Sequence, residues 1–145
     1  MRRPFPLAGL LRVRAMAEDT AAAELAAARR GERSAQERAA RTAEALGGSR
    51  APGEADLAAW QAAIAARIAL SSLLTEDTAA LRHAQDEVGG RQRDWTAARI
   101  RTRAVERLRD KHEVEVRAQD ERAEQAVLDE VASRSTTPVS PEEDA

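Results

Sequence analysis

Two histidines, His83 and His112, are the side chains in this 145-residue chain best suited to proton transfer or metal binding near neutral pH. His112-Glu113 opens like the helical zinc motif in which a second histidine follows four positions after the first. Position 116 is Val116, so no metal pair forms on one helix face. The chain has no cysteine, which removes disulfides, thiolate metal sites and cysteine nucleophiles. Carboxylates such as Asp86, Glu87, Glu113 and Glu115 stand in a chain that is 33% charged, with no cleft to hold a pair of them. Ser71-Ser72 has no base set beside it. Gly47-Gly48 and Gly89-Gly90 lack the spacing and the preceding strand of a phosphate loop. No catalytic, cofactor-binding or metal-binding residue is therefore expected, and the chemistry points to binding rather than catalysis.

Charge is the feature with a pattern. Residues 54–90 carry a formal net charge of −4, and residues 118–145 carry −6. Between them residues 91–117 hold nine basic against five acidic side chains, a net +4. Arg99, Arg101, Arg103, Arg107, Arg109 and Lys111 make up the centre of this block. One reading is a solvated helix face balanced by neighbouring acids such as Glu106 and Asp110. The other is a basic girdle that docks on an acidic partner. Nucleic acid is not expected: the whole chain is at −2, only Trp95 lies near for stacking, and acidic segments flank the block.

The elements that position these residues are helices. Ala, Glu, Leu, Lys and Arg supply 85 of the 145 residues, the bias of a long helix or coiled coil. Aromatic content is 2%, and 34 residues are alanine, so a narrow seam of close contacts is expected rather than a thick core. Leu74, Leu81, Val88 and Trp95 recur at sevens, which places them on one helical face. With Trp60 and Ile64 they form the seam of a second helix, predicted over about 54–134. Leu7, Leu11, Leu25 and Leu46 mark the facing seam of a first helix, predicted over about 6–46. Gly47 to Gly53, with Pro52 inside, is the predicted turn. The fold class is all-α: an antiparallel two-helix coiled-coil hairpin in a single domain, 1–134, with a disordered acidic tail at 135–145.

Three details of the second helix follow. Ser71-Ser72 with Thr75-Glu76-Asp77 could start a separate helix that folds back, and Gly89-Gly90 is a candidate kink. The hairpin is preferred to the fold-back. After Trp95 the seam is expected to drift through Val105, Leu108, His112, Val116, Ala123, Val127 and Val131. Paired outward from the turn, the first helix ends opposite residues 95–100. The stretch from about Ile100 to Arg134 then overhangs and exposes an apolar stripe that calls for a partner or a dimer.

No run of eighteen consecutive apolar residues occurs, so a membrane-crossing helix is not expected. Arg2-Arg3 and Ala15-Met16-Ala17 have the look of an export signal, but Arg12 and Arg14 interrupt the apolar run between them. A cytoplasmic location is expected.

The opening Phe5-Pro6-Leu7-Ala8-Gly9-Leu10-Leu11-Arg12-Val13-Arg14, followed by Glu24-Leu25-Ala26, resembles the N-terminus of the flagellar FliJ proteins. Trp95 to His112, with Ala98-Arg99 and Val105-Glu106-Arg107-Leu108, resembles that family's basic segment around a tryptophan. Glu124-Gln125 and Leu128-Asp129-Glu130-Val131-Ala132 resemble its C-terminal end. Gly89-Gly90 and the high alanine content depart from the family pattern.

The resemblance implies a non-enzymatic component of the bacterial flagellar type III protein export apparatus, important for flagellum biogenesis and motility. Its expected partners are the hexameric export ATPase, the cytoplasmic ring of the membrane export gate, and unloaded export chaperones. The protein would lie at the inner face of the cell membrane without inserting into it. On this reading Arg99, Arg101, Arg103, Arg107, Leu108, Val116, Val127 and Val131 carry partner contacts. Two other readings remain open: a homo-oligomeric coiled coil that dimerises through the overhang, and a nucleic-acid-binding hairpin.

Overall fold

The computed structural model describes residues 3–54 and 56–135. Two α-helices pack against each other as an all-α hairpin: α1, Ala8–Gly48, and α2, Leu57–Ser135. Pro4 and Pro6 hold the lead-in out of the helix, and α1 begins where the Ala8 amide donates to Phe5 O at 3.1 Å. Gly47 and Gly48, expected in the turn, stay helical, and no described glycine has a positive φ. The stop comes at Ser49, whose amide and hydroxyl both donate to Leu46 O, at 3.3 and 2.9 Å. Pro52 follows and prevents the helix from resuming. Asp56 caps α2: its Oδ1 accepts from the Ala59 amide at 2.8 Å, as an N-cap carboxylate does.

From there α2 is one uninterrupted helix. It does not fold back at 71–77: the helix runs through these residues, and the Thr75 and Thr78 hydroxyls donate to Ser71 O and Leu74 O one turn back instead of capping a new helix. Helical structure also continues through Gly89-Gly90. The propensity cost of two glycines, about 2 kcal/mol, does not break a helix held on its other face by a seam. The expected acidic tail lies, from Thr136 on, outside the described residues.

The chain divides into two compact units. In the unit Arg14–Arg101, burial on α1 recurs at Arg14, Glu18, Ala21, Leu25, Ala28, Glu32, Ala35, Ala39, Thr42 and Leu46. On α2 it recurs at Leu70, Leu74, Asp77, Leu81, Ala84, Val88, Arg91, Trp95 and Ala98. The alternating three-and-four spacing is that of a coiled-coil seam. Leu25, Ala28 and Ala35 are the buried apolar residues, and small side chains dominate, so the axes can approach closely.

The register differs from the one expected. Glu24 pairs with Arg91 at 2.9 Å, Thr42 with Asp77 at 2.6 Å, and Arg67 donates to Ser49 O at 3.1 Å. Symmetric pairing about the turn would have set Thr42 opposite about residue 58. The linker 49–56 explains the shift. A residue outside a helix can cover about 3.3 Å against 1.5 Å within one, and the Arg67 hydrogen bond to Ser49 O shows the start of the linker lying alongside α2 well past its first turns, so the pairing with α1 begins further along α2. Trp60 and Ile64, expected in the seam, are exposed and face the linker at Ser49, Arg50 and Ala51 instead of α1.

The other unit joins residues up to Val13 with those from Thr102 onward. Thr102 and Val105 are buried, and Arg109, His112 and Val116 are half-buried. The seam therefore keeps its spacing after Trp95 and does not drift: Leu108 is exposed. The N-terminal lead-in covers this stretch. Phe5 lies 5.7 Å from His112 between ring centroids, and Arg3 Nη1 donates to Gln119 Oε1 at 2.9 Å. The overhang expected from Ile100 is thus shortened. Only from Gln119 on is every described side chain of α2 exposed.

Candidate partner-binding surface

The basic block resolves into rows. Arg99, Arg103 and Arg107 follow one another at four-residue spacing, so they project from one face of α2, about 6 Å apart. All three are exposed. Like charges at this spacing cost a helix a few tenths of a kcal/mol per pair, so the row weakens α2 rather than supporting it. Arg99 lies over the ring of Trp95, with its guanidinium carbon 5.2 Å from the centroid, and this contact fixes one end of the row. Among the described residues, no carboxylate comes within ion-pair distance of Arg101, Arg103 or Arg107.

Arg109 and Lys111 are neutralised by neighbouring acids. Arg109 pairs with Asp110 at 2.7 Å and with Glu113 at 3.9 Å, and Lys111 pairs with Glu115 at 3.8 Å. The hydrogen bonds that the Arg109 guanidinium donates to Asp110, and the charge of that carboxylate, hold Arg109 above its ordinary pKa. The balancing acids near Arg109 are Asp110 and Glu113. The structure thus separates a compensated half, 109–115, from an uncompensated row, 99–107.

Val127, Leu128 and Val131 are exposed on the last turns of α2 beyond the cover of the N-terminal lead-in. Ala123 and Glu124 line the same shallow face. Val116 is placed differently: it stands in the seam beside Arg3, Pro4 and Phe5, along an open groove that also includes His112 and Arg117. His112 Nε2 lies 3.3 Å from Arg3 O, and His83 is exposed. Among the described residues, no group of His, Asp or Glu is placed to hold a metal ion.

One surface escaped the sequence reading. The first eighteen residues of α2, 57–74, have a mean hydropathy of 1.5 with Arg67 as the sole charge. By length and composition alone this segment could cross a membrane, although Gln61, Arg67, Ser71 and Ser72 interrupt every apolar run within it. An averaged window would have found it where a search for unbroken runs did not.

The comparisons decide the family. The model of the family described as flagellar FliJ protein matches residues 3–137. The chain belongs to the FliJ family. The match takes in both helices, the arginine row and the exposed end of α2. Neither the curated proteins nor the solved structures give a match. Membership makes this a flagellar export-associated protein, and the FliJ family is a non-catalytic export component.

Proposed function

We propose that the chain is a coiled-coil stalk and chaperone-escort protein of the flagellar type III export apparatus, coupling the hexameric export ATPase to the membrane export gate. The family match over residues 3–137 carries this reading. Two surfaces support it. The row Arg99, Arg103 and Arg107 offers uncompensated positive charge to an acidic partner surface. The face of Val127, Leu128 and Val131 offers apolar area at an exposed helix end, fit for insertion into a socket. On this reading the ATPase takes α2 beyond Trp95, with Arg101 and Leu108 at the margin. The gate's cytoplasmic ring and unloaded chaperones bind other parts of the hairpin. The protein works in the cytoplasm, held at the inner membrane face through these partners and not by insertion. It binds no nucleic acid.

Light-scattering mass, measured alone and then with the export ATPase of the same genome, tests the reading. The chain should move into the ATPase peak and raise ATP hydrolysis. Arg99→Glu with Arg103→Glu should cut this binding at least tenfold while leaving helix content intact. Unchanged binding by the double variant would remove the arginine row from the contact.

A further inference from the structure

The start of α2 carries large apolar side chains that α1 does not cover and the linker at Ser49, Arg50 and Ala51 covers only in part. Leu57 is 74% exposed, Trp60 45%, Ile64 50% and Ile68 63%. Spacings of three, four and four residues place all four within about 80° of one another around the helix, the width of a second seam. This stripe lies well to the side of the seam that runs through Leu70, Leu74 and Asp77.

We infer that this stripe is a self-complementary surface through which two copies of the chain pair, antiparallel, α2 against α2. Two features of the segment select this occupant. The first is the symmetry of the spacing. A two-fold axis near residues 62–63 sets Leu57 of one copy against Ile68 of the other, and Trp60 against Ile64, twice over, as an isologous contact requires. The second is charge. The same axis brings Arg67 of one copy opposite residue 58 of the other, about 3 Å along the helix from its Asp56, so opposite charges meet at both ends of the stripe.

A bilayer fits less well. Residues 49–77 hold two basic against four acidic side chains, which an anionic membrane surface repels. The face opposite the stripe is alanine rather than lysine and arginine, unlike a helix that lies in the interface. The pairing uses none of residues 99–131, so it stands or falls apart from the ATPase contact.

The test uses the full chain. Sedimentation equilibrium from about 1 to 100 µM, the range expected for one helix face, should show a monomer–dimer equilibrium. Ile64→Lys should raise the dissociation constant at least tenfold with an unchanged circular dichroism spectrum, since Ile64 is half-exposed in the hairpin. The chain lacks cysteine, so single thiols report proximity cleanly. Gln61→Cys, beside the axis, should oxidise to a disulfide-linked dimer, and Val131→Cys should not. A wild-type chain that stays monomeric throughout overturns the pairing, as does a dimer that survives Ile64→Lys or cross-links only through Val131→Cys. A monomer in solution that cosediments with phosphatidylcholine–phosphatidylglycerol vesicles overturns it in favour of a lipid surface.

Discussion

Asp77 shows what a single polar residue does in an alanine-rich seam. Its carboxylate is nearly buried, accepts from Thr42 Oγ1 at 2.6 Å, and pairs with Arg38 Nε at 3.0 Å. Both Thr42 and Asp77 occupy seam positions, where any shift of register would leave the carboxylate facing alanine or leucine. A buried polar pair of this kind fixes register at a cost in stability. Asp77→Ala leaves the Thr42 hydroxyl buried without a partner and should lower stability by about 1–3 kcal/mol, read by thermal or urea unfolding. Thr42→Val with Asp77→Leu removes both polar groups together. It should recover most of that loss, with a register that cysteine cross-linking finds less uniform. Neither residue was legible as a seam residue in the sequence, because the search followed apolar side chains and passed over polar ones at the same spacing. Arg91, also at a seam position, was missed for the same reason, and it reaches out to Glu24.

The elements obeyed the composition more closely than the punctuation. Gly89-Gly90 marks a kink by propensity, yet helical structure runs through both residues. An added methyl at either position meets only the tip of Arg93, at 3.7 and 3.9 Å, which is ordinary contact distance. Gly89→Ala with Gly90→Ala should therefore stabilise the chain by about 1–2 kcal/mol and raise its melting temperature. A fall would mean that α2 needs to bend there. The two ends of α2 also differ in how they are held. His112 and Val116 lie under Phe5 and its neighbours, whereas residues 120–134 are exposed on every side. Amide exchange should accordingly be fastest from Asp120 onward and slowest around Leu25, Ala28 and Ala35. Slow exchange at 127–131 in the isolated chain would mean that this face is already covered.

At the scale of the molecule, the export reading rests on charge and therefore depends on salt. A contact made through Arg99, Arg103 and Arg107 should weaken as ionic strength rises, because the Debye length falls from about 10 Å at 0.1 M to about 3 Å at 1 M. A contact made through Val127, Leu128 and Val131 should hold or strengthen. Measuring the affinity for the ATPase across that range separates the two. A flat profile in the wild type, matched by the Arg99→Glu, Arg103→Glu variant, would assign the binding to the apolar face.

The sequence by itself determined the helices, the break between them, the seam of sevens through Trp95 and the family. Each depends on residues close in the chain or on composition, and a helix is a local structure whose periodicity is written into its own residues. The partners of that seam were decided by the tertiary structure. The linker around Pro52, whose Ser49 carbonyl accepts from Arg67, moved the register along α2. That shift brought Phe5 to His112, uncovered Leu57, Trp60, Ile64 and Ile68, and shortened the expected overhang. The path of a linker between two helices is set by the packing of both at once, and no periodicity within either one records it.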